Sequence, residues 1–469
     1  MAIKFTQAQQ KVLDARNHNI LVSAAAGSGK TAVLVERIVR LITEGDNPPD
    51  IDRLLVVTFT RAAAAQMRER IGAALSKRLR EDPGNTHLQR QEVLLHNAQI
   101  TTIDSFCTFL LRNYFSEIDL DPGFRQIEPA ENSLIAAEVL DDFLEEKYQE
   151  KDPAFLRCVE YFCTGSRSDD KELADLILEV WERAGSHPSP EAWIRERSRD
   201  YDVQSEEELF AQPWMRSLIS RSVQLLLESD SAYAAMQDIC LQPDGPDAVW
   251  PFLEEERSAL FGKIRDIVPG IEEKEDLRNL WETILKAVSW PFPNYPGLRG
   301  KKYAHYDKTL KDSVKGMRDR EKKAIKKLAD SISGQSPAMI LAMMESAAEP
   351  VKTLSSLVLD FSACLQEEKK QRHVIDFVDL EHFALQILAE RKEDGSYVPR
   401  RVARALRSHY AEILIDEYQD SNEVQELLLQ IISGEDEGRN NRFMVGDIKQ
   451  SIYRFRMARP EIFTEKYDT

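Results

Sequence analysis

Hydrophobic positions near the N-terminus alternate between strand-like runs and helix-like spacing. Three short apolar or β-branched runs have the length and composition of strands: Ile20–Ser23, Leu54–Thr60 and Ile100–Thr102. Three other segments are alanine-rich or carry apolar residues at helical spacing: Thr31–Thr43, Ala62–Ile71 and Ser105–Tyr114. Strands that alternate with helices predict an α/β fold, in which helical connections cross the faces of a parallel sheet.

The pattern changes between about residue 125 and residue 370. Helical spacing dominates there and β-branched runs almost vanish, with Pro- and Gly-rich breaks at residues 241–252 and 289–300. Strand-like runs return in "EILIDEYQD" and "RFMVGD". We therefore expect one α/β domain that is split into residues 1–125 and 370–469, with residues 126–369 inserted as an all-helical domain.

The charge of the chain is unevenly distributed. The 469 residues carry a formal net charge of −18, which argues against a protein that binds nucleic acid through overall positive charge. Residues 299–327 depart from this balance, because they hold twelve basic and only four acidic residues. A phosphate-rich partner is one interpretation of this stretch, and a solvated helical face is the other.

The sequence also bears on location. The N-terminal segment "MAIKFTQAQQ" is polar, and no apolar run is long enough to span a bilayer. The five cysteines include no C-x-x-C pair, which favours free thiols in a reducing compartment. The expected location is therefore the cytoplasm.

The segment "LVSAAAGSGKTAVL", residues 21–34, joins the first predicted strand to the first long predicted helix. Its centre fits A-x-x-G-x-G-K-T, a phosphate-binding loop in which Ala24 replaces the usual glycine. Such a loop turns backbone N–H groups toward an anion at a helix N-terminus, and the flanking strand and helix argue against an ordinary glycine-rich turn. Lys30 would reach the β- and γ-phosphates, and Thr31 would bind Mg²⁺. The predicted ATP-binding residues of the loop are Ala24, Ala25, Ala26, Gly27, Ser28, Gly29, Lys30 and Thr31.

Two further predicted strands end in polar residues that suit nucleotide hydrolysis. Asp416 and Glu417 follow three apolar residues, where a parallel strand would meet the ligand crevice of an open α/β sheet. Asp416 is the candidate Mg²⁺ ligand, and Glu417 is the candidate base that deprotonates the attacking water. Gln450 is suited to sensing a γ-phosphate. A solvated acidic turn would explain the two acids if they stood alone, but the phosphate-binding loop in the same chain favours catalysis.

Aromatic and basic residues predict a path for a single strand of nucleic acid. In residues 453–456, aromatic side chains alternate with arginines, which suits stacking on unpaired bases and contact with phosphates. Phe59, Thr60 and Arg61 lie between the second strand and a helix whose N–H groups can position a phosphodiester backbone. An amphipathic core element and a capped helix start are the respective alternatives.

In order along the chain, these motifs resemble those of superfamily 1A DNA helicases of the UvrD/Rep/RecB group. The matching segments are "FTQAQ", "AAAGSGKT", "TFTRAAAAQM", "TTIDSF", "IDFVDL", "LIDEYQD" and "VGDIKQSIYRFR". Within that group, "DLDPGFR", "SHPSPEAW" and "GDIKQSIYRFR" are most similar to AddA, the helicase–nuclease subunits of AddAB-type enzymes. The resemblance implies a P-loop NTPase domain with a RecA-like parallel sheet and a large all-helical insertion domain.

The resemblance also assigns roles by position, including contact of Gln9 with adenine. The implied catalytic residues are Lys30, Asp416, Glu417 and Gln450, with Thr31 and Asp416 as metal ligands. The implied DNA-binding residues are Phe59, Thr60, Arg61, Phe106, Tyr453, Phe455 and Arg456. Three positions depart from the common pattern: Ala32 stands in place of arginine, Arg61 in place of asparagine, and Asp104 in place of histidine.

The implied activity is that of an ATP-dependent 3′→5′ DNA helicase subunit with ATP and Mg²⁺ as cofactors. Its implied substrates are single-stranded DNA and duplex ends in double-strand-break repair by homologous recombination, within a bacterial cytoplasm and without a membrane. The implied partner is an AddB-type nuclease subunit in a heterodimer.

The chain ends soon after Gln450, without the second RecA-like domain or the nuclease domain that the resemblance implies. We therefore expect an N-terminal fragment that binds ATP and single-stranded DNA but hydrolyses ATP weakly or not at all. The alternatives are a stand-alone UvrD/Rep-type helicase and a nucleotide-gated DNA-binding module without turnover. A small-molecule kinase would leave the motifs after Asp416 unexplained.

Overall fold

The computed structural model of the chain describes residues 5–25, 27–164, 170–268, 274–450 and 459–468. Its contacts divide the chain into two compact units. The first unit contains Met1–Arg195 and Leu354–Thr469, and the second contains Glu196–Thr353. Each unit has its own hydrophobic core.

The described strands form one large sheet and two small pairs. The strands are β1 (Ile20–Ser23), β2 (Leu54–Thr58), β3 (Gln99–Thr102), β4 (Arg125–Gln126), β5 (Val374–Ile375), β6 (Ala389–Arg391), β7 (Tyr397–Pro399), β8 (Glu412–Ile415) and β9 (Arg442–Gly446). The large sheet has the order β1-β9-β8-β2-β3, and all of its neighbouring strands are parallel. The parallel sheet expected from the sequence is therefore confirmed, as are its first three strands and the helices that follow them.

Most of the described chain is helical. The α-helices are α1 (Gln7–Asp14), α2 (Lys30–Thr43), α3 (Arg61–Glu81), α4 (Thr86–Leu94), α5 (Ile103–Tyr114), α6 (Pro129–Glu150), α7 (Pro153–Phe162), α8 (Lys171–Gly185), α9 (Pro190–Arg199), α10 (Glu206–Ala211), α11 (Pro213–Cys240), α12 (Trp250–Ile267), α13 (Lys274–Val288), α14 (Lys308–Ile332), α15 (Pro337–Gln371), α16 (Phe377–Leu388), α17 (Arg401–His409), α18 (Glu423–Ser433) and α19 (Pro460–Asp468). Among the described residues, no helix is both long enough and apolar enough to cross a membrane.

The large sheet is buried on both faces, as parallel sheets usually are. Leu54 and Val56 of β2 belong to a core formed with α2, α3 and α4. Leu55 and Val57 of the same strand belong to the opposite core, which α5, α16, α17 and α18 complete. Because successive side chains point to opposite faces of a strand, the run "LLVV" must be apolar throughout.

The two compact units do not coincide with the division expected at residues 126 and 369. Buried apolar residues of α6, α7 and α8 pack with the C-terminal half of α15 in a third core, which lies inside the first unit. Helical spacing marks these segments as helices, but it does not specify which core their apolar faces join.

The core of the second unit contains a buried ion pair. Arg318 donates to both carboxylate oxygens of Glu256, at 2.9 and 2.5 Å, and to the backbone oxygen of Pro293 at 2.8 Å. The Tyr233 hydroxyl also donates to Glu256, at 2.9 Å. Both charged side chains are almost completely buried, so each neutralises a charge that would otherwise be costly to bury.

We expect Arg318→Ala to destabilise the second unit by about 3–5 kcal/mol, because Glu256 would remain buried without its cation. Hydrogen–deuterium exchange of peptides from α11, α12 and α14 in the 469-residue chain measures this local stability. The matched control is Arg278→Ala, which breaks a more exposed pair with Glu206 and should cost under about 1 kcal/mol. Equal exchange in the two variants would show that the buried pair is not important for stability.

Candidate active site

The phosphate-binding loop lies between β1 and α2. Gly27 and Gly29 have φ values of 74° and 86°, in the left-handed region that favours glycine, and Gly29 caps the N-terminus of α2. The amide of Ala24 donates to the backbone oxygen of Gly446 at 3.1 Å, which ties the start of the loop to β9. Lys30 and Thr31 therefore occupy the first turn of a long helix, where backbone N–H groups attract anions.

Gln9 lies against this loop. Thr6 and Gln9 form a capping box at the start of α1, in which the Thr6 amide donates to Gln9 Oε1 at 2.8 Å. The side-chain Nε2 of Gln9 donates to the backbone oxygen of Ser28 at 3.0 Å. The cap thus positions Gln9 beside the loop, and its contact with adenine stays a prediction.

Lys30 has the environment expected of a phosphate-binding lysine. Its ammonium group is buried and forms no hydrogen bond among the described residues. The nearest acid is Glu417, whose Oε2 lies 3.7 Å from Lys30 Nζ. A buried ammonium without hydrogen bonds is costly unless a ligand supplies acceptors, so this position fits a phosphate group.

Asp416 and Glu417 follow directly after β8, at the carboxyl end of the sheet. The Asp416 amide donates to the backbone oxygen of Val57 at 2.9 Å, which fixes the residue against β2. Burial, together with the neighbouring charge of Glu417, raises the pKa of Asp416 to about 6. A divalent cation would relieve this cost, and Mg²⁺ is commonly held by one or two carboxylates together with substrate phosphates. The described residues contain no all-protein cluster of three or more metal-binding side chains.

Glu417 has an unusual backbone conformation. Its φ of 55° lies in the left-handed region, which costs a non-glycine residue about 1–2 kcal/mol. The carboxylate accepts a hydrogen bond from Gln419 Nε2 at 3.0 Å. Strain of this kind is concentrated at functional sites, where the surrounding structure maintains it.

Gln450 reaches the same site through a chain of hydrogen bonds. Its side-chain amide donates to Asp447 Oδ2 at 2.5 Å, and this bond lowers the pKa of Asp447. The Asp447 amide donates to Gln419 Oε1 at 2.9 Å, and Gln419 in turn contacts Glu417. The sequence analysis missed Asp447 and Gln419. The rule that identified Asp416 could have found Asp447, because Asp447 directly follows β9.

A cavity of about 460 Å³ adjoins the two acids at the ends of β2 and β8. Phe59 and Asp104 line it together with Asp416 and Glu417. Thr60 lies nearby in sequence, where its hydroxyl accepts from the Ala63 amide and caps α3. Arg61 is exposed in the first turn of that helix.

Phe106 does not belong to this cavity. Its side chain is completely buried, stacked on Phe109 and in edge contact with Tyr410. The expectation that Phe106 lines a strand path is therefore wrong for this structure, since one face of α5 is turned into the core below β2. The positions Ala26, Tyr453, Phe455 and Arg456 lie outside the described residues.

Comparison with known proteins agrees with this geometry. The profile of the UvrD/REP helicase N-terminal domain family matches residues 5–469. Relatives named as ATP-dependent helicase/nuclease subunits are 43% identical in Lachnoclostridium phytofermentans, 39% in Clostridium beijerinckii and 40% in Bacillus licheniformis. Each match covers 99% of this chain but only 33%, 36% and 36% of the relative, so the chain spans about a third of their length.

The family match covers nearly the whole sequence, and the phosphate-binding loop, the two acids after β8 and Gln450 meet at one edge of the sheet. The chain belongs to the UvrD/REP helicase N-terminal domain family.

Proposed function

We propose that this chain is the ATP-binding and strand-binding part of an ATP-dependent DNA helicase. The observation that carries the proposal is the meeting of Lys30, Glu417 and the Asp447–Gln450 pair at the carboxyl edge of one parallel sheet. Nucleotide sites in open α/β sheets form at this edge. The same proposal includes a split ATP-binding domain, residues 1–125 and 370–469, and a helical insertion, residues 126–369, which is divided between the two compact units.

The residues around the loop have separate roles in ATP binding and hydrolysis. Lys30 and the amides at the start of α2 bind the phosphates, while Gln9 contacts adenine. Thr31 and Asp416 would hold Mg²⁺, which would supply positive charge to neutralise the nucleotide phosphates. Glu417 orients the attacking water and accepts its proton.

A series of hydrogen bonds that runs from Gln450 to Glu417 offers a route for coupling nucleotide binding to hydrolysis. Gln450, Asp447, Gln419 and Glu417 form a continuous series of contacts. A γ-phosphate that binds Gln450 would alter its hydrogen bond to Asp447. Through Gln419, this change would shift the position of the Glu417 carboxylate that acts on water. Nucleotide state and the position of the segment after β9 are linked in this way.

The strand-binding surface includes Phe59, whose ring lines the cavity beside the hydrolysis residues. An aromatic face provides stacking for unpaired bases without sequence preference. Thr60 and Arg61 at the start of α3 would contact the phosphates of the same strand.

The second unit carries a basic surface that suits duplex DNA. Lysines recur on one side of α14, at Lys308, Lys311, Lys315, Lys322 and Lys326. Lys308, Lys315 and Lys326 are exposed, and they form no ion pair among the described residues. Lys311 and Lys322 are half-buried, and Lys322 lies over the ring of Phe292. A row of cations along a helix gains favourable energy from a polyphosphate backbone through counterion release.

For the whole protein, we propose 3′→5′ unwinding and nuclease action at DNA ends during recombinational repair in the bacterial cytoplasm, with an AddB-type partner subunit. The relatives are named as helicase/nuclease subunits, which supports both activities and membership of a complex.

We expect Lys30→Ala to weaken Mg²⁺–ATP binding about tenfold or more, because it removes a charge-assisted hydrogen bond to phosphate. Titration of a fluorescent ATP analogue into the 469-residue chain measures this affinity. Lys77→Ala removes an exposed lysine on α3 and should leave the affinity unchanged. Glu417→Gln should also retain binding, since its role is in hydrolysis. Unchanged affinity in Lys30→Ala would refute the proposed nucleotide site.

We expect Phe59→Ala to reduce the affinity for single-stranded DNA by about 1–3 kcal/mol, the typical value of one base–aromatic stack. Fluorescence anisotropy with a labelled oligothymidylate provides the measurement. Tyr161→Ala, which removes a partly exposed ring on α7, is the matched control. An equal effect of the two variants would place the strand elsewhere.

We expect replacement of Lys308, Lys315 and Lys326 by glutamine to weaken duplex binding and to lower the salt dependence of the binding constant. The logarithmic slope should fall by about one for each phosphate that is no longer neutralised by a lysine. The control replaces Arg221, Lys263 and Lys286, which are exposed cations on α11, α12 and α13. If both triple variants change the slope equally, α14 has no special role.

A further inference from the structure

The cavity beside the hydrolysis residues has aromatic and apolar walls. Phe59, Trp181 and Phe377 line it, together with Ile103 and Val378. Trp181 and Phe361 pack in a T-shaped arrangement, which helps to fix this wall in place. A volume of about 460 Å³ lies within the range of small-ligand pockets, and flat aromatic walls suit a planar ring.

The charged lining of this cavity is entirely acidic among the described residues. No described lysine, arginine or histidine lines it. The seven carboxylates that do are Asp104, Glu182, Asp376, Glu381, Asp416, Glu417 and Asp420. Lysines outside the lining pair with two of these acids, since Lys369 Nζ lies 2.7 Å from Asp376 and Lys30 Nζ lies 3.7 Å from Glu417. Away from the nucleotide residues, a phosphate group inside the cavity would meet mainly like charge. The part of a nucleic acid that fits such a cavity is therefore a base, which is uncharged and planar.

The polar wall offers hydrogen-bond acceptors, and the side-chain amides of Gln425 and Asn422 already donate within the protein. Gln425 Nε2 donates to Glu381 Oε1 at 2.6 Å, and Asn422 Nδ2 donates to Glu381 Oε2 at 3.0 Å. Glu381 is buried, and its pKa is raised to about 7 by burial and, in part, by the charge of Asp104. Asp104 thus lies within electrostatic range of Glu381, and the Asp104 and Glu381 carboxylates line the same cavity.

We propose that this cavity receives one unpaired base of the bound strand and prefers bases with an exocyclic amino group, which donates to Asp104. The proposal rests on the proposed strand-binding function and adds a base preference to it. Asp104 stands where a histidine is common. In this proposal its carboxylate contacts the edge of a base and not the phosphodiester backbone.

Cytosine and uracil provide the sharpest comparison, because they have the same ring and differ on the edge that a carboxylate would contact. The amino group of cytosine at position 4 donates a hydrogen bond, and aspartate or glutamate is a recognised acceptor for it. Uracil carries an oxygen at that position, so it would place one acceptor against another. Stacking on the aromatic walls is available to both bases.

The experiment measures binding of the 469-residue chain to labelled oligodeoxycytidylate and oligodeoxyuridylate of equal length, by anisotropy at fixed salt. We expect binding to the cytidine strand to be about fivefold tighter or more. Asp104→Asn should reduce this ratio toward one, even if removal of a negative charge tightens binding to both strands. Asp142→Asn neutralises an exposed acid on α6 and should leave the ratio unchanged.

A second arm alters the DNA and leaves the protein intact, so it does not depend on how Asp104→Asn folds. Strands that contain N4,N4-dimethylcytosine lack the amino hydrogens and should bind like the uridine strand. A ratio near one in the unaltered chain would overturn the base preference, as would a ratio that survives either dimethylation or Asp104→Asn. If the chain bound neither strand, the proposed strand-binding function would be refuted, and the inference with it.

Discussion

Parallel pairing within the large sheet is the constraint on which the site depends. Strand β1 pairs with β9, so that Ser23 lies opposite Gly446 although more than 400 residues separate them. Parallel strands present their carboxyl ends at a common edge, and the order β1-β9-β8-β2-β3 places the phosphate-binding loop, Asp447, Asp416 and Phe59 along that edge in succession. Every candidate catalytic contact follows from this alignment.

Two charged groups at this edge carry an electrostatic cost that a nucleotide would offset. The ammonium group of Lys30 is buried and forms no hydrogen bond among the described residues, while burial and the charge of Glu417 raise the pKa of Asp416. A nucleotide with its metal supplies anionic oxygens for the lysine and a cation for the carboxylate, and so compensates both costs at once. The left-handed backbone at Glu417 belongs to the same arrangement, because stability elsewhere in the sheet maintains the strain.

Each compact unit contains one feature in which charge of a single sign is concentrated. In the first unit, the cavity beside Phe59 and Asp104 is lined by carboxylates, whereas α14 in the second unit presents a row of lysines. Phosphate contacts determine affinity and salt dependence, while base contacts determine preference. The net charge of −18 averages over these surfaces and therefore says little about either one.

The sequence by itself determined the strands and helices that flank the motifs, because apolar periodicity and the glycines of the phosphate-binding loop act locally. It also predicted the catalytic residues Lys30, Asp416, Glu417 and Gln450, because these residue types suit the chemistry of nucleotide hydrolysis. Tertiary structure alone decided which aromatic residue lines the cavity, since Phe59 and Phe106 both stand next to strand ends but only Phe106 faces the core. It likewise decided which core the helices of residues 126–195 join, because that choice depends on contacts with α15 that no local pattern encodes.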